Sequence, residues 1–364
     1  MLAMHMANEL LSIPVAAITL IVSAVVVALS ARRSSLSLVG DKAPLMGVIG
    51  AFVFAAQMIN FTLPGMPGTS GHLGGGVLLA ILLGPAAAIV TMAGILIVQC
   101  LLFQDGGLLA LGCNIINMGI VPCLLGWGVY RLLIGKDFSP PSWRQYLSAW
   151  AGCTVGVAGG AAMVPFQATL SGVLRIPTGD FLAVMIGVHL LIGFIEGAIT
   201  FAVIAYLRQV RPSTLGLSAP QSADRLSRKA VLASILATAI LLGGVVSWFA
   251  STHSDGLEWS YLERPYSGKA GATVENTSPS VAAVDSWQGR WSLMSDYTRR
   301  AAPLGQELRE TEKSITETAA SWPNLDGWSS LAGILGTVVT LAVVYGASAV
   351  IRRRRKVLTV NIKS

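Results

Sequence analysis

The residues in this sequence best suited to binding a metal ion are its four histidines, His5, His72, His189 and His253. His72 stands in a glycine-dense run, residues 65–76, between two apolar segments. Glycine lets the backbone turn sharply and lets other groups approach it closely. An imidazole in such a setting, at the depth of an apolar segment, is a candidate binding site. The alternative is a polar histidine that is hydrogen-bonded within a helix bundle.

His5 follows Met4 close to the start of the chain. When a histidine is the second residue of a protein, its imidazole, its amide nitrogen and the terminal amine form two fused chelate rings in one plane. Such a planar nitrogen set suits Ni²⁺ or Cu²⁺, and a second imidazole completes four ligands. The set requires Met4 to be the first residue of the mature chain, because residues 1–3 otherwise displace the amine. The alternative for His5 is a surface histidine near a terminus.

Two further pairs of polar residues stand in apolar segments at helical spacing. His189 and Glu196 are seven residues apart, so they lie on one face of a helix. A carboxylate at membrane depth needs a partner, and Glu196 is a candidate acceptor for a ligand histidine, a proton-coupled group or a structural contact. Asn114 and Asn117 also share a helical face and are placed to bond across helices or around a substrate.

Composition indicates that helices in a membrane position these residues. Of the 364 residues 53% are hydrophobic and 12% are charged, and the mean hydropathy is +0.66. A soluble enzyme is excluded, and an all-α polytopic membrane protein is predicted. Apolar runs long enough to span are expected at residues 12–31, 45–62, 72–84, 86–103, 108–134, 146–170, 181–207, 229–250 and 329–351.

The net charge of +7 reflects topology rather than a nucleic-acid partner, since basic residues cluster at the ends of the apolar runs. Arg32 and Arg33 follow the first run, Arg208 and Arg211 the seventh, and the basic residues 352–356 the last. With nine spans, all these segments fall on one side of the membrane. The sequence therefore predicts an external N-terminus and a cytoplasmic C-terminus.

The chain divides into two membrane units. Residues 1–210 hold the first seven apolar runs, residues 211–228 read as a cytoplasmic linker, and residues 229–364 form a two-helix unit around a polar external loop, residues 251–328. His253 lies where this loop begins, and a solvated position is expected for it.

The sequence also lacks several motifs. It contains no G-x-x-x-x-G-K-[ST], so it has no P-loop for ATP. It contains neither H-E-x-x-H nor G-x-S-x-G, which weakens protease and hydrolase interpretations. The four cysteines lie in apolar segments without C-x-x-C spacing and are expected to be small buried thiols.

Several segments resemble the CbiM/NikM family, the substrate-binding membrane (S) component of energy-coupling-factor (ECF) transporters for cobalt and nickel. They are residues 4–12, 68–76, 104–119 and 188–193, and the resemblance covers residues 1–210. Residues 255–258, 295–297 and 330–333 resemble the PDGLE domain of the accessory N component (CbiN/NikN-like), with Ser254 where the Asp-Gly-Leu-Glu motif at 255–258 is preceded by proline in that domain. The chain resembles a natural fusion of the two components.

The resemblance implies seven helices around a metal site near the outer face. Its ligands would be the amine of Met4, the backbone nitrogen and imidazole of His5, and the imidazole of His72, with Ni²⁺ or Co²⁺ as the transported substrate and no organic cofactor. It further implies partners in the bacterial inner membrane: a coupling subunit (CbiQ/NikQ-like) and ATPase subunits (CbiO/NikO-like). The chain itself would not be an enzyme.

Two other functions are compatible with the residues alone. A membrane-embedded metalloenzyme would use His72, His189 and Glu196 and keep an open coordination position. A proton-coupled carrier of another solute would use Glu196 as its coupling group.

Overall fold

A computed structural model describes residues 5–37, 42–135, 142–215, 224–264, 278–297, 323, 325 and 327–361. Its described residues are almost entirely helical, and their buried apolar side chains form one large cluster and three smaller ones. The helices are α1 (Ile13–Ser37), α2 (Lys42–Gln57), α3 (Gly76–Leu83), α4 (Pro85–Val98), α5 (Leu111–Ile134), α6 (Ser142–Ser171), α7 (Thr178–Val210), α8 (Arg228–Gly244), α9 (Pro279–Trp291) and α10 (Gly327–Asn361).

Helix α5 contains two π-helical stretches, Ile115–Ile120 and Pro122–Gly126, and α4 continues into a π-helical turn, Gln99–Phe103. π-Helical turns are frequent at functional sites because they widen the helix and redirect side chains. Here the first stretch of α5 carries Asn117, and the turn after α4 leads into residues 104–110, which contact the N-terminal segment.

Six described helices are long and apolar enough to cross a membrane: Ile13–Ser34, Pro85–Phe103, Leu111–Ile134, Trp143–Ser171, Thr178–Val210 and Gly327–Arg352. The predicted all-α polytopic membrane fold is therefore confirmed. The other three predicted runs also carry helices, α2, α3 and α8, but these have 16, 8 and 17 residues. A count of nine spans, or of seven in the first unit, stays a prediction.

The second and third predicted runs are only partly helical. The second apolar run does not stay helical to residue 62, because α2 ends at Gln57 and the chain then forms strand β1 (Phe61–Thr62). The third helix does not begin at His72 but at Gly76, after strand β2 (Thr69–Gly71). Backbone pairing of β1 with β2 keeps both segments extended, and apolar composition alone does not reveal that pairing.

The small sheet joins the two halves of the chain. Strand β1 pairs antiparallel with β2, and β2 pairs parallel with β3 (Ser254–Asp255), so that Thr69 faces Ser254 and Ser70 faces Asp255. Strand β3 lies just after α8, at the start of the predicted external loop. The loop therefore adds a strand directly beside the segment that carries His72.

Helices α8 and α10 pack against each other and on α2. They cross at two glycines, and a Cβ built on Gly333 would lie 2.1 Å from the carbonyl oxygen of Gly243. Small residues at a crossing let helix backbones approach closely, which is how helices associate in a membrane.

Replacing Gly333 with alanine is therefore expected to destabilise the protein by about 1–3 kcal/mol, because the added methyl group overlaps the backbone of α8. Gly346→Ala in the same helix is the matched control, since nothing lies within 4 Å of its Cβ position. Thermal unfolding in detergent measures the difference. Equal midpoints for the two variants would show that the crossing is not close-packed.

Candidate metal site

A cavity of about 80 Å³ lies among the N-terminal segment, the loop before α3, helices α5, α6 and α7, and the residues after β3. This is room for an ion and a few water molecules. All six described residues of the predicted site line it: His5, His72, Asn114, Asn117, His189 and Glu196. Met4 lies outside the described residues. The sequence prediction thus selected residues from four separate segments that the fold brings together.

His5 is held at the cavity by a buried carboxylate. Its side chain donates from Nδ1 to Oδ1 of Asp105 over 2.6 Å, and the residue is 2% exposed. The other ring nitrogen, Nε2, is buried without a hydrogen-bond partner. A buried polar atom without a partner is costly, so an unpaired imidazole nitrogen in a cavity wall is consistent with a ligand position.

His72 lies beside His5, with 5.8 Å between the ring centroids. Its Nδ1 donates to the carbonyl oxygen of Leu73 over 3.1 Å, which places the lone pair of the neutral ring on Nε2. Both histidines therefore direct the protonated nitrogen at an oxygen. An imidazole that binds a metal commonly shows this arrangement, because the hydrogen bond fixes the tautomer and the ring orientation.

Asp105 reaches His5 because the backbone around it turns sharply. Gln104 has φ of 55° and Gly106 has φ of 85°. A Cβ on Gly106 would lie 2.8 Å from Cβ of His5, so glycine is needed for conformation and for space. Burial alone would raise the pKa of Asp105, but the interactions with His5 and Tyr297 outweigh burial and lower it. Asp105 is therefore an ionised acceptor.

The N-terminal segment is held by hydrogen bonds to its backbone. Met6 donates from its amide to Oδ1 of Asn114 over 3.0 Å, and Asn114 donates from Nδ2 to the carbonyl oxygen of Met6 over 3.1 Å. The amide of Gly107 donates to the same carbonyl over 3.0 Å. The Asn114 side chain thus bonds both polar groups of the Met6 backbone, as a neighbouring strand would, and it orients the residue after His5. Its partner in the predicted pair, Asn117, makes two 2.8 Å bonds with Gln167 of α6.

Glu196 stabilises the start of α3. Its oxygens accept from the amides of Gly74 and Gly75 over 2.7 and 3.1 Å, and it is 1% exposed. A carboxylate is stabilised at a helix N-terminus by the unpaired amides and by the helix dipole. Gly75 has φ of 77°, which turns the chain into the helix. The structure therefore gives Glu196 a structural contact two residues from His72.

His189 lies further along the same wall. Its Nδ1 donates to the carbonyl oxygen of Met185 one turn earlier, over 2.8 Å. His253 is exposed, as expected, and lies outside the cavity. The four cysteines are buried and free, which confirms the prediction of small buried thiols.

The sequence prediction missed the contribution of the C-terminal unit to the cavity wall. Asp255, which follows Ser254 in β3, lines the cavity and caps the next helical turn by accepting from the amide of Glu258 over 2.7 Å. Burial raises the pKa of Asp255 to about 7, with the Glu258 amide opposing that shift. The Asp-Gly-Leu-Glu motif was visible in the sequence, but its parallel pairing with β2 was not.

Two more residues of this unit, Gln288 and Tyr297, contact the N-terminal segment or the loop around Asp105. Gln288 of α9 donates to the carbonyl oxygen of Gly106 over 2.9 Å and accepts from the amide of Leu108 over 2.9 Å. Its Oε1 also accepts from Asn8 over 3.0 Å. Tyr297 donates to Oδ2 of Asp105 over 2.5 Å. Tyr297 stands in the segment 295–297, which resembles the PDGLE domain, whereas no sequence signal distinguishes Gln288 from other residues of the polar loop.

Within the part of the chain that the structure describes, no group of three His, Cys, Asp or Glu side chains is placed to hold a metal ion. Three imidazoles of the described part line the cavity, those of His5, His72 and His189, and the rings of His5 and His72 lie beside each other.

These features define a polytopic membrane protein with a histidine-lined internal site. Residues 5–214 match the family CbiM, described as "Cobalt uptake substrate-specific transmembrane region", and residues 229–353 match the PDGLE domain. The chain belongs to the CbiM family and carries a PDGLE domain after the CbiM region.

Similar proteins include a putative metal transport protein of Haloquadratum walsbyi, 35% identical over 209 residues, which are 57% of this chain and 92% of that protein. A putative fused nickel transport protein NikMN of Archaeoglobus fulgidus is 35% identical over 239 residues, 65% of this chain and 76% of the relative. A solved transition metal transporter shares 30% identity over 57% of this chain and 93% of its own, with a TM-score of 0.49.

The contact of Glu196 with α3 generates a stability prediction. Glu196→Ala is expected to lower stability by about 1–3 kcal/mol, because the amides of Gly74 and Gly75 lose their acceptor. Glu196→Gln retains one acceptor oxygen and should cost less. Thermal unfolding in detergent measures both, with Asp180→Ala at the exposed start of α7 as control. If the Glu196→Ala protein were as stable as the control, Glu196 would not be needed to stabilise the start of α3.

Proposed function

We propose that this chain is the metal-selective membrane component of a nickel or cobalt importer, which captures Ni²⁺ or Co²⁺ outside the cell and passes it to the cytoplasm. Family membership supports the substrate class, as does the name of the Archaeoglobus relative. The observation that carries the proposal is the buried, unpaired Nε2 of His5 beside the ring of His72. Neutral imidazoles are good ligands for both ions.

The ligand set depends on which residue begins the mature chain. In a planar amine–amide–imidazole set, the histidine binds through Nδ1, the nitrogen that donates to Asp105 in this structure. Binding through Nε2 leaves that bond intact. We infer that a chain that retains residues 1–3 binds through the Nε2 atoms of His5 and His72. A chain that begins at Met4 adds its amine and must release Nδ1 from Asp105.

The chain works with partners in this proposal. A CbiQ/NikQ-like coupling subunit and CbiO/NikO-like ATPase subunits drive release of the ion, and this chain, which has no P-loop, is not itself the ATPase. Residues 1–210 bind the metal, residues 211–228 link the units on the cytoplasmic side, and residues 229–364 contribute the external loop. The N-terminus lies outside the bacterial inner membrane and the basic tail inside.

The contacts of Glu196 favour this function over the two alternatives. Both of its oxygens accept from backbone amides, so each oxygen already has a structural partner. A proton-coupled carrier and a metalloenzyme with His72, His189 and Glu196 as ligands both need this carboxylate for their chemistry.

Uptake of radioactive Ni²⁺ and Co²⁺ tests the function in a bacterial host without its own importers for these ions. Uptake is expected only when this chain is expressed together with the coupling and ATPase subunits encoded in the same genome. It should persist when the proton gradient is collapsed and ATP is maintained. Uptake that follows the proton gradient and needs no ATPase would instead establish the carrier.

Metal binding by the purified protein tests the site. His5→Ala and His72→Ala are each expected to lower Ni²⁺ and Co²⁺ affinity by more than about 100-fold, since even residues that only support a ligand are worth 10–100-fold. His253→Ala is the matched control and should bind as the wild type does. Affinity should also fall from about pH 8 to about pH 5, because protons compete for the imidazoles.

Calorimetry measures the affinities, and intact mass identifies the first residue of the same sample. Unchanged affinity in His72→Ala would refute the two-histidine site. A chain that begins at Met1 and binds through both histidines would establish Nε2 ligation.

A further inference from the structure

Helix α9, which belongs to the predicted external loop, is attached to the end of a membrane span. Gln288 of α9 donates from Nε2 to the carbonyl oxygen of Cys100 over 3.1 Å, and the amide of Leu293 donates to the carbonyl oxygen of Leu102 over 2.9 Å. Cys100 and Leu102 both belong to the apolar span Pro85–Phe103. The C-terminal end of α9 therefore lies at the depth where this span ends.

The surface of the protein at this depth is apolar. Leu101 stands between the two residues whose carbonyl groups hold α9, and it is 42% exposed. Ile97, one turn earlier in the same span, is also exposed. Exposed leucine and isoleucine side chains on a spanning helix face the lipid. Lipid therefore reaches the level at which α9 is attached.

Helix α10 also shows that the membrane extends past this level. A Cβ built on Gly336 would lie 3.0 Å from the ring of Phe103, the last residue of the span that holds α9. The span of α10 begins at Gly327, nine residues before Gly336, which corresponds to about 14 Å of helix. Exposed Trp328 stands at its start. The layer beyond Phe103, where α9 lies, is thus still flanked by a membrane span.

Helix α9 has one side toward the protein and one toward water. Val281 and Gln288 are seven residues apart, so they share a face, and both are buried. On the opposite side Ala282, Ser286 and Arg290 recur every four residues, and all three are exposed. These residues are small or polar, as expected for a surface in water.

A third side of α9, its aromatic flank, consists of Trp287 and Trp291. The two residues are one turn apart and 49% and 72% exposed, with 6.2 Å between ring centroids. They lie one and three residues from Gln288, which places them next to the buried face rather than opposite it. Leu293 is 56% exposed. Tryptophan suits the membrane interface, because its ring is apolar and its N–H group can bond water or lipid headgroups.

We propose that α9 lies in the membrane interface, with its aromatic flank and Leu293 in the headgroup region of the bilayer and its polar side toward the water. The leaflet is the one in which α1 begins, since Gln288 also accepts from Asn8, just before α1. In the proposed orientation this is the outer leaflet. The inference goes beyond the proposed function and holds whichever ion the chain carries.

Spin labels in the full chain, reconstituted into phosphatidylcholine vesicles, test the inference. A label at Trp291→Cys should collide often with O₂, which concentrates in lipid, and rarely with chromium oxalate, which stays in water. The ratio of the two collision rates is expected to be several times that of a label at Ser286→Cys, on the water side of the same helix. It should be below that of a label at Ile21→Cys, an exposed residue within the span of α1.

The four native cysteines are buried, and the wild-type protein treated with the same label gives the background. Equal ratios at positions 291 and 286 would place the aromatic flank in water and overturn the inference. Low collision rates with both reagents at position 291 would also overturn it, because protein would then cover the flank, whether from a second copy, a partner subunit or another segment of this chain.

Quenching by brominated lipid is a second measurement that needs no cysteine variant. The emission that a Trp287→Phe/Trp291→Phe protein lacks relative to wild type comes from these two tryptophans. Vesicles of brominated phosphatidylcholine should remove most of that difference, because bromine quenches tryptophan at short range. A difference that bromination leaves unchanged would overturn the inference even if the cysteine variants do not fold. The importer proposal is unaffected by either result, since it is tested by uptake and metal binding.

Discussion

The hydrogen bond between His5 and Asp105 is the contact on which the candidate site depends. It connects an N-terminal segment with little regular structure to a loop between two spanning helices, and it does so in a buried position. A buried carboxylate is costly without partners, and His5 and Tyr297 supply them. The imidazole is thereby held with Nδ1 bonded to Asp105 and with Nε2 buried without a hydrogen-bond partner.

The second candidate histidine, His72, is positioned by contacts to the backbone on both sides of it. Residues 69–71 pair with β1 on one side and with β3 on the other, and Glu196 holds the amides that follow. His72 therefore lies between two fixed points, a sheet and a helix N-terminus. The buried acid that the sequence offered as a possible proton-coupling group is an acceptor that shapes this segment.

The two sequence units form one structural site. Strand β3 extends the sheet, Asp255 lines the cavity, and Gln288 and Tyr297 hold the loop around Asp105. Part of the cavity wall thus comes from residues 255–257, which lie beyond the CbiM region. A natural fusion keeps these contacts intramolecular, so the second unit is always present at high effective concentration beside the first.

The sequence by itself determined the fold class, because only helices that satisfy their own backbone fit long apolar runs in a membrane. It also singled out His5, His72, Asn114, Asn117, His189 and Glu196, because polar groups are rare and costly in such runs. Composition could not show that residues 69–71 form a strand, that α3 begins at Gly76, or that Glu196 binds two amides. Those features, and the roles of Asp105, Gln288 and Tyr297, depend on contacts between residues far apart in the chain, which only the tertiary structure decided.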